Sequence, residues 1–266
     1  MKFPWNRSTP ASGQEKQPSS AAVIEQMLTN AAACLNQGNP DRAFETYMEI
    51  VKLTPNAPAQ YNLGALYAVG QGTEQNLLQA AYWFHQAAEN KDEQAAKLER
   101  KCLMDLVHQG FDSKTPQNLY QDLLEYAELV YPREASRNIA VENLNELAKF
   151  HWNRQEYAQA AKLFRASAQF GNSGEGQNFL AVLYNNGAGV DKNDLAALYW
   201  FDRAADNQFA PALTDRDGIL NAYRENLSPA EFYEQMELLA EWCTHGSPDV
   251  PQDGEKAAFW RTQYGK

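Results

Sequence analysis

Residues 62–88 read NLGALYAVGQGTEQNLLQAAYWFHQAA, and residues 179–205 read FLAVLYNNGAGVDKNDLAALYWFDRAA. Aligned without a gap at an offset of 117 residues, the two stretches are identical at 13 of 27 positions. Ordinary amino-acid frequencies would give roughly one or two identities by chance. A self-match of this strength indicates that the chain is built from repeated structural units.

Each copy has the pattern of two short helices joined by a glycine loop. Leu63, Leu66 and Tyr67 are three or four residues apart, which is the spacing of one helix face. The glycines that follow accept the backbone angles at which a helix ends. A second apolar face then begins at Ala80. The second copy repeats these positions with Leu180, Leu183, Tyr184, Gly187, Gly189, Ala197, Trp200, Phe201, Ala204 and Ala205.

These residues resemble the Sel-one-like repeat (SLR), a helix-loop-helix relative of the tetratricopeptide repeat (TPR) that is known from bacterial proteins. A degenerate third copy lies at Leu239, Ala240, Gly246, Val250, Asp253, Ala257 and Trp260. Residues 38–60 and a stretch beginning at Leu147 are similar to plain TPR. The resemblance implies an all-α, right-handed α-α solenoid in which the first helix of each pair lines a concave face.

The rest of the chain supports this interpretation. We expect residues 1–19 to form a disordered tail, because they lack an apolar period, and residues 20–266 to form the SLR/TPR-like solenoid. Phe3 and Trp5 are unusual in such a tail, and they leave open an anchor that docks on this protein or on a partner. Helices are predicted at residues 20–37, 40–53, 57–70, 75–90, 93–110, 116–130, 133–153, 156–170, 174–187, 192–207, 210–225, 229–245 and 254–263.

Composition narrows the class of partner. The 23 Lys and Arg residues face 34 Asp and Glu residues, a formal net charge of −11. Such a charge repels nucleic-acid phosphates and anionic lipids, so we expect neither nucleic acid nor membrane as a partner. No apolar run is long enough to span a bilayer. Three widely separated cysteines are typical of free thiols, and we expect a cytoplasmic protein.

The sequence contains no clear residue pattern of a metal site or a catalytic site. His85, His108, His151 and His245 form no close ligand pair, and we expect no metal and no cofactor. Cys243 and His245 are two residues apart, but they fall at the end of a repeat helix, where a histidine caps carbonyls. We therefore expect no enzymatic activity.

The resemblance implies a protein- or peptide-binding scaffold that acts through the solenoid surface. An immunity or inhibitory protein that blocks a toxin or enzyme remains the alternative, and an enzyme is a third. A net negative surface favours a partner with basic patches. The repeat-free stretch at residues 97–131 is a second candidate surface. The candidate binding residues on the first helices of the two clear repeats are Tyr61, Asn62, Ala65, Val69, Asn178, Val182, Asn185 and Asn186.

Overall fold

The structure is a computed structural model that describes residues 19–264. Within these residues the chain forms thirteen α-helices and no β-strand, which confirms the all-α prediction. Apart from Ser19, the expected disordered tail at residues 1–19 lies outside the described residues, and it stays a prediction. The chain divides into two compact units, Met1–Leu98 and Glu99–Lys266, and the boundary lies within the fifth helix.

The first unit is formed by four complete helices and the start of a fifth. Its core joins Tyr47 and Ile50 of the second helix to Leu63 and Leu66 of the third, with Ala31 of the first helix beneath them. Consecutive helices from the first to the fourth pack against one another. The helices are α1 (Ser20–Asn36), α2 (Pro40–Leu53), α3 (Ala57–Val69), α4 (Leu77–Glu89) and α5 (Glu93–His108).

The second unit continues the same helix-pair arrangement. Consecutive helices from the sixth to the thirteenth pack against one another. All thirteen helices begin and end within two residues of the predicted limits. The remaining helices are α6 (Pro116–Val130), α7 (Arg133–Asn153), α8 (Tyr157–Phe170), α9 (Gly174–Asn186), α10 (Asp194–Asp206), α11 (Pro211–Asn226), α12 (Pro229–His245) and α13 (Gly254–Tyr264).

The loops of the two clear repeats have the same geometry. Gly70 and Gly187 end α3 and α9 in the left-handed conformation, with φ of 70° and 65°. Asn76 and Asn193 then cap α4 and α10, because each side chain accepts a hydrogen bond of 3.0 Å from a first-turn amide. Each of these asparagines also donates its backbone N–H to a tyrosine carbonyl of the preceding helix, at 3.0 Å. The loop is therefore closed by local bonds.

The second glycine of each loop contacts the preceding helix pair. Gly72 and Gly189 have φ of 70° and 71°. A Cβ atom at Gly72 would lie 2.4 Å from the carbonyl oxygen of Pro40, the first residue of α2. A Cβ atom at Gly189 would lie 2.3 Å from the carbonyl carbon of Tyr157, the first residue of α8. Only glycine lets the loop lie directly on the start of the earlier helix.

The degenerate third copy is held to the second by two aspartates. The Tyr184 hydroxyl donates to the Asp249 carboxylate at 2.8 Å, and Trp200 Nε1 donates to the Asp249 carbonyl at 2.9 Å. The Tyr199 hydroxyl donates to Asp253 at 3.0 Å. These bonds fix the loop before α13 on α9 and α10. The predicted apolar positions of the third copy are buried: Leu239, Ala240, Val250, Ala257 and Trp260.

The glycine contact gives a direct test of the loop geometry. Gly189→Ala should lower the free energy of unfolding by about 2 kcal/mol or more, because a side chain is strained at this φ and meets backbone atoms of α8. The matched control is Gly218→Ala in the interior of α11, where a Cβ meets nothing within 4 Å. This control should raise stability by about 0.5–1 kcal/mol. Urea denaturation followed by circular dichroism measures both, and an unchanged Gly189→Ala midpoint would contradict the loop contact.

The matched tryptophans Trp83 and Trp200 both pack on a core, but to different extents. Trp200 is 1% exposed and its indole N–H is hydrogen-bonded. Trp83 is half-buried against the first core, and its Nε1 has no hydrogen-bond partner among residues 19–264.

Truncation of the two tryptophans should therefore have unequal effects. Trp200→Ala should cost about 3–5 kcal/mol, the usual range for emptying a large aromatic site. Trp83→Ala should cost less, because part of that ring is already in contact with water. Denaturant unfolding of the two variants measures the difference, and equal losses would show that the two rings are buried alike.

Candidate partner-binding surfaces

The first candidate surface is a stripe along α3. Val69, at the end of the helix, is 62% exposed. Tyr61 is half-buried because its ring packs edge-on against Phe84, with centroids 5.6 Å apart. Asn62 Nδ2 donates to the Pro58 carbonyl at 2.8 Å and so braces the first turn of α3. Ala65 is also half-buried. Val69 is the most accessible of the four predicted contact residues on this helix.

The second candidate surface is the matching stripe along α9. Asn186 is exposed, and Val182 and Asn185 are half-buried. Asn178 is only 8% exposed, so the expectation of an accessible amide at that position is wrong. The reason is that α9 packs against both α8 and α10. The Oδ1 atom of Asn178 is buried and accepts no hydrogen bond within the described part of the chain.

The two stripes lie in different units, so the structure gives two separate surfaces. The residues at equivalent positions of α3 and α9 share only their place within the repeat. The α3 stripe ends in an apolar side chain, Val69, whereas the α9 stripe ends in an amide, Asn186. The two surfaces therefore differ in chemistry although their helices are related by sequence.

A third surface lies within the second unit, where α5 and α7 form a groove. It has a volume of about 300 Å³ and combines cationic, acidic and apolar side chains. Phe150 is an exposed aromatic residue on its edge, and the Arg154 guanidinium lies 5.4 Å from the centre of that ring. The lining includes three residues of the repeat-free stretch that the sequence offered as an alternative surface, Arg100, Leu103 and Met104. The other lining residues belong to α7: Asn143, Glu146, Leu147, Lys149, Phe150 and Asn153.

Sequence reasoning missed a histidine pair beside this groove. His108 at the end of α5 and His151 near the end of α7 bring their Nε2 atoms to 2.9 Å. The Nδ1 atom of buried His151 lies 2.7 Å from a Glu156 carboxylate oxygen. A carboxylate only accepts, so His151 Nδ1 carries a proton. In the neutral pair, His108 then donates and His151 accepts. The two histidines are 43 positions apart in the sequence, so no local motif reveals the pair.

The histidine pair and its neighbours shift the pKa values of His108 and Glu156. The pKa of His108 lies below its ordinary value of 6.5, because partial burial and the neighbouring His151 ring disfavour a positive charge. The carboxylates of Asp105 and Glu156 act in the opposite direction. Hydrogen bonds from Arg154 and His151 in turn hold the pKa of Glu156 below its usual range.

The cysteine and histidine near the end of α12 are not arranged for nucleophilic chemistry. Cys243 is fully buried, and burial together with the nearby Asp253 raises the pKa of its thiol to about 12. Burial also raises the pKa of Cys102, to about 11. Thiols of this kind remain protonated at neutral pH, and the thiolate is the reactive form.

Residues 19–264 hold no group of three or more His, Cys, Asp or Glu side chains placed to bind a metal ion. Among the same residues, none of the helices combines the length and the apolar character that a membrane span requires.

The comparison with protein families now places the repeats. The Sel1 repeat model matches residues 57–92, 174–209 and 236–260. The first two matches begin at the first residues of α3 and α9 and extend past the ends of α4 and α10. The chain contains three Sel1 repeats. The third match confirms the degenerate copy. The TPR-like stretch that begins at Leu147 lies outside the matched residues, and the stretch at residues 38–60 overlaps the first match only at residues 57–60.

Two solved structures resemble this chain at low identity. One is c5321, a protective antigen present in uropathogenic Escherichia coli strains that displays an SLR fold, with 21% identity and a TM-score of 0.32. The match covers 92% of this chain and 54% of c5321, so the chain spans about half the length of that protein. The other is a Sel1 repeat protein from Oxalobacter formigenes, with 19% identity, a TM-score of 0.28, and coverage of 94% and 88%. The search of curated proteins found no match.

The histidine pair predicts a pH dependence. Because the pKa of His108 is lowered on folding, the unfolded chain binds the proton more readily. The contribution of His108 to stability is therefore complete above the ordinary pKa of 6.5 and decreases as the pH falls through that value toward the folded pKa. Denaturant unfolding at pH 7.5 and pH 5.5 should show a smaller pH-dependent loss for His108→Gln than for the unaltered chain. An NMR titration that places the pKa of His108 above 6.5 would contradict the prediction.

Proposed function

We propose that this protein is a non-catalytic scaffold that binds a protein or a peptide through the exposed faces of its Sel1 helix pairs. Sel1 repeats typically mediate protein–protein interaction, and three of them cover 97 of the 266 residues of this chain. That repeat content is the observation that carries the proposal. The described chain adds exposed side chains on first helices of these repeats, of which Val69 and Asn186 are the most accessible.

The charge of the chain suggests the chemistry of the partner. Residues 19–98 contain eight Asp and Glu residues against four Lys and Arg residues, and the whole chain has a formal net charge of −11. Long-range attraction of this kind raises the association rate of a partner with the opposite charge. The proposal is therefore a protein or peptide with basic patches, met in the cytoplasm rather than on nucleic acid or at a membrane.

The three surfaces offer a partner different kinds of chemical contact. Val69 on α3 offers an apolar contact, and Asn186 on α9 offers an amide that both donates and accepts. Phe150 on α7 offers a stiff aromatic ring at the edge of a groove that also contains Arg100 and Lys149. Aromatic residues and arginine contribute disproportionately to protein interfaces, so the α5/α7 groove is included in the test.

The test is affinity capture with single-residue surface variants. Val69→Asp, Asn186→Ala and Phe150→Ser should each leave the unfolding midpoint nearly unchanged, because the affected side chains are exposed. At least one should reduce capture of the physiological partner about tenfold or more, the effect expected of an interface residue worth about 1.4 kcal/mol. The captured proteins are identified and quantified by mass spectrometry.

The matched control is Leu213→Asp, which changes an exposed apolar residue of α11 outside the three surfaces. It should capture the partner as the unaltered chain does. If all four variants capture equally, the binding surface lies elsewhere. If no protein is enriched and purified chain turns over a small molecule, the scaffold proposal is wrong.

A further inference from the structure

The pair formed by His108 and His151 brings two imidazole nitrogens together at the ends of two helices. Their Nε2 atoms are 2.9 Å apart, and the ring planes are inclined by 81° with centroids 4.9 Å apart. The rings therefore meet through their nitrogen edges and do not stack face to face. Imidazole nitrogen is the commonest protein ligand for transition metal ions, and it suits Zn²⁺ in particular.

The spacing of the two nitrogens fits a single metal ion. Zinc–nitrogen bonds are about 2.0–2.1 Å long, so two nitrogen ligands of one ion are about 2.9 Å apart at a right angle and about 3.4 Å apart at a tetrahedral angle. The observed distance of 2.9 Å lies at the short end of this range. His108 is exposed, so its ring can turn until both lone pairs point at a common ion.

His151 is already held in the orientation of a metal ligand. It is 3% exposed, and its Nδ1–H donates to a Glu156 carboxylate oxygen at 2.7 Å. Histidine ligands in metal sites almost always donate their second N–H to a carboxylate, a carbonyl or water, which fixes the tautomer and the ring orientation. The bond to Glu156 therefore leaves the Nε2 lone pair of His151 directed at His108.

The surroundings of the pair favour a positive ion. His108 is the last residue of α5 and His151 lies in the last turn of α7, and the carbonyl end of a helix carries a partial negative charge. The Glu156 carboxylate adds a full negative charge, which Arg154 partly offsets at 2.8 Å. The Phe111 ring lies beside both histidines, with centroid distances of 6.0 and 6.5 Å, and an apolar neighbour strengthens electrostatic attraction.

The pair supplies two ligands, and water completes the coordination. Residues 19–264 hold no group of three or more His, Cys, Asp or Glu side chains placed around one ion. Zinc in proteins is usually bound by four ligands, and open positions are filled by water. Neutral His108 takes the tautomer with its proton on Nδ1, which makes its Nε2 lone pair available without net release of a proton. A site of this kind exchanges its ion with solution.

From these observations we propose that His108 and His151 chelate one divalent transition metal ion through their Nε2 atoms, with Glu156 as the positioning residue of His151. The ion joins the end of α5 to the end of α7, beside the α5/α7 groove. It stabilises the second unit, because a ligand that binds only the folded chain shifts the unfolding equilibrium. This inference is independent of the scaffold proposal, and it goes against the sequence-based expectation that the chain binds no metal.

The test is titration of the full chain, purified without a histidine tag, with zinc chloride in an isothermal titration calorimeter. We expect one ion per chain at the tightest site. His108→Gln should weaken this binding at least tenfold, because the second ligand of a chelate binds at a high effective concentration. His108 is exposed, so the variant should keep its helices, which circular dichroism checks. Glu156→Gln should weaken binding about tenfold, since it removes the charge that orients His151.

The matched control is His245→Gln, which removes an exposed histidine at the end of α12 and should leave the affinity unchanged. NMR of the imidazole nitrogens gives a second measurement. Zinc should shift the Nε2 signals of both His108 and His151 and leave the Nδ1 proton of His151 in place. No uptake of zinc, equal losses of affinity in His108→Gln and His245→Gln, or a shift confined to one histidine of the pair would each overturn the proposal.

Discussion

The contact between a loop glycine and the start of the preceding helix is the constraint on which the repeat geometry depends. Gly72 lies on the first residue of α2, and Gly189 lies on the first residue of α8, each with backbone atoms too close for any side chain. The contact sets the distance between a helix pair and the pair before it. Because each loop is also closed by an asparagine cap, the two helices of a pair and the step to the previous pair are fixed by the same short stretch.

The third repeat shows how a weak copy of the pattern keeps its place. Its loop depends on Asp249 and Asp253, which accept hydrogen bonds from side chains of α9 and α10. A second group of charges joins α10 to α11 and α13, since buried Asp202 pairs with Arg216 at 2.8 Å and also with Lys256. Polar contacts of this kind are specific in geometry, and they hold the third copy in a defined position together with its buried apolar residues.

The scaffold proposal is consistent with the distribution of buried and exposed residues in the repeats. The apolar residues that pack the repeats together are buried, whereas the side chains at the ends of α3 and α9 remain accessible. A binding surface on packed helices loses little conformational entropy when a partner binds. The groove between α5 and α7 adds contacts of a different kind, from Arg100 in the stretch without a repeat signature and from Phe150 of α7.

The sequence by itself determined the helices, their limits and the three Sel1 repeats, because apolar periodicity, glycine stops and asparagine caps act over a few residues. It did not reveal the pairing of His108 with His151 or of Asp202 with Arg216, nor the burial of Asn178. The repeat-free stretch that begins at residue 97 lies at the boundary between Leu98 and Glu99, but the sequence did not show that the chain divides there. Each of these depends on how helices distant in sequence pack, and side-chain burial and pairing follow from that packing rather than from local propensity.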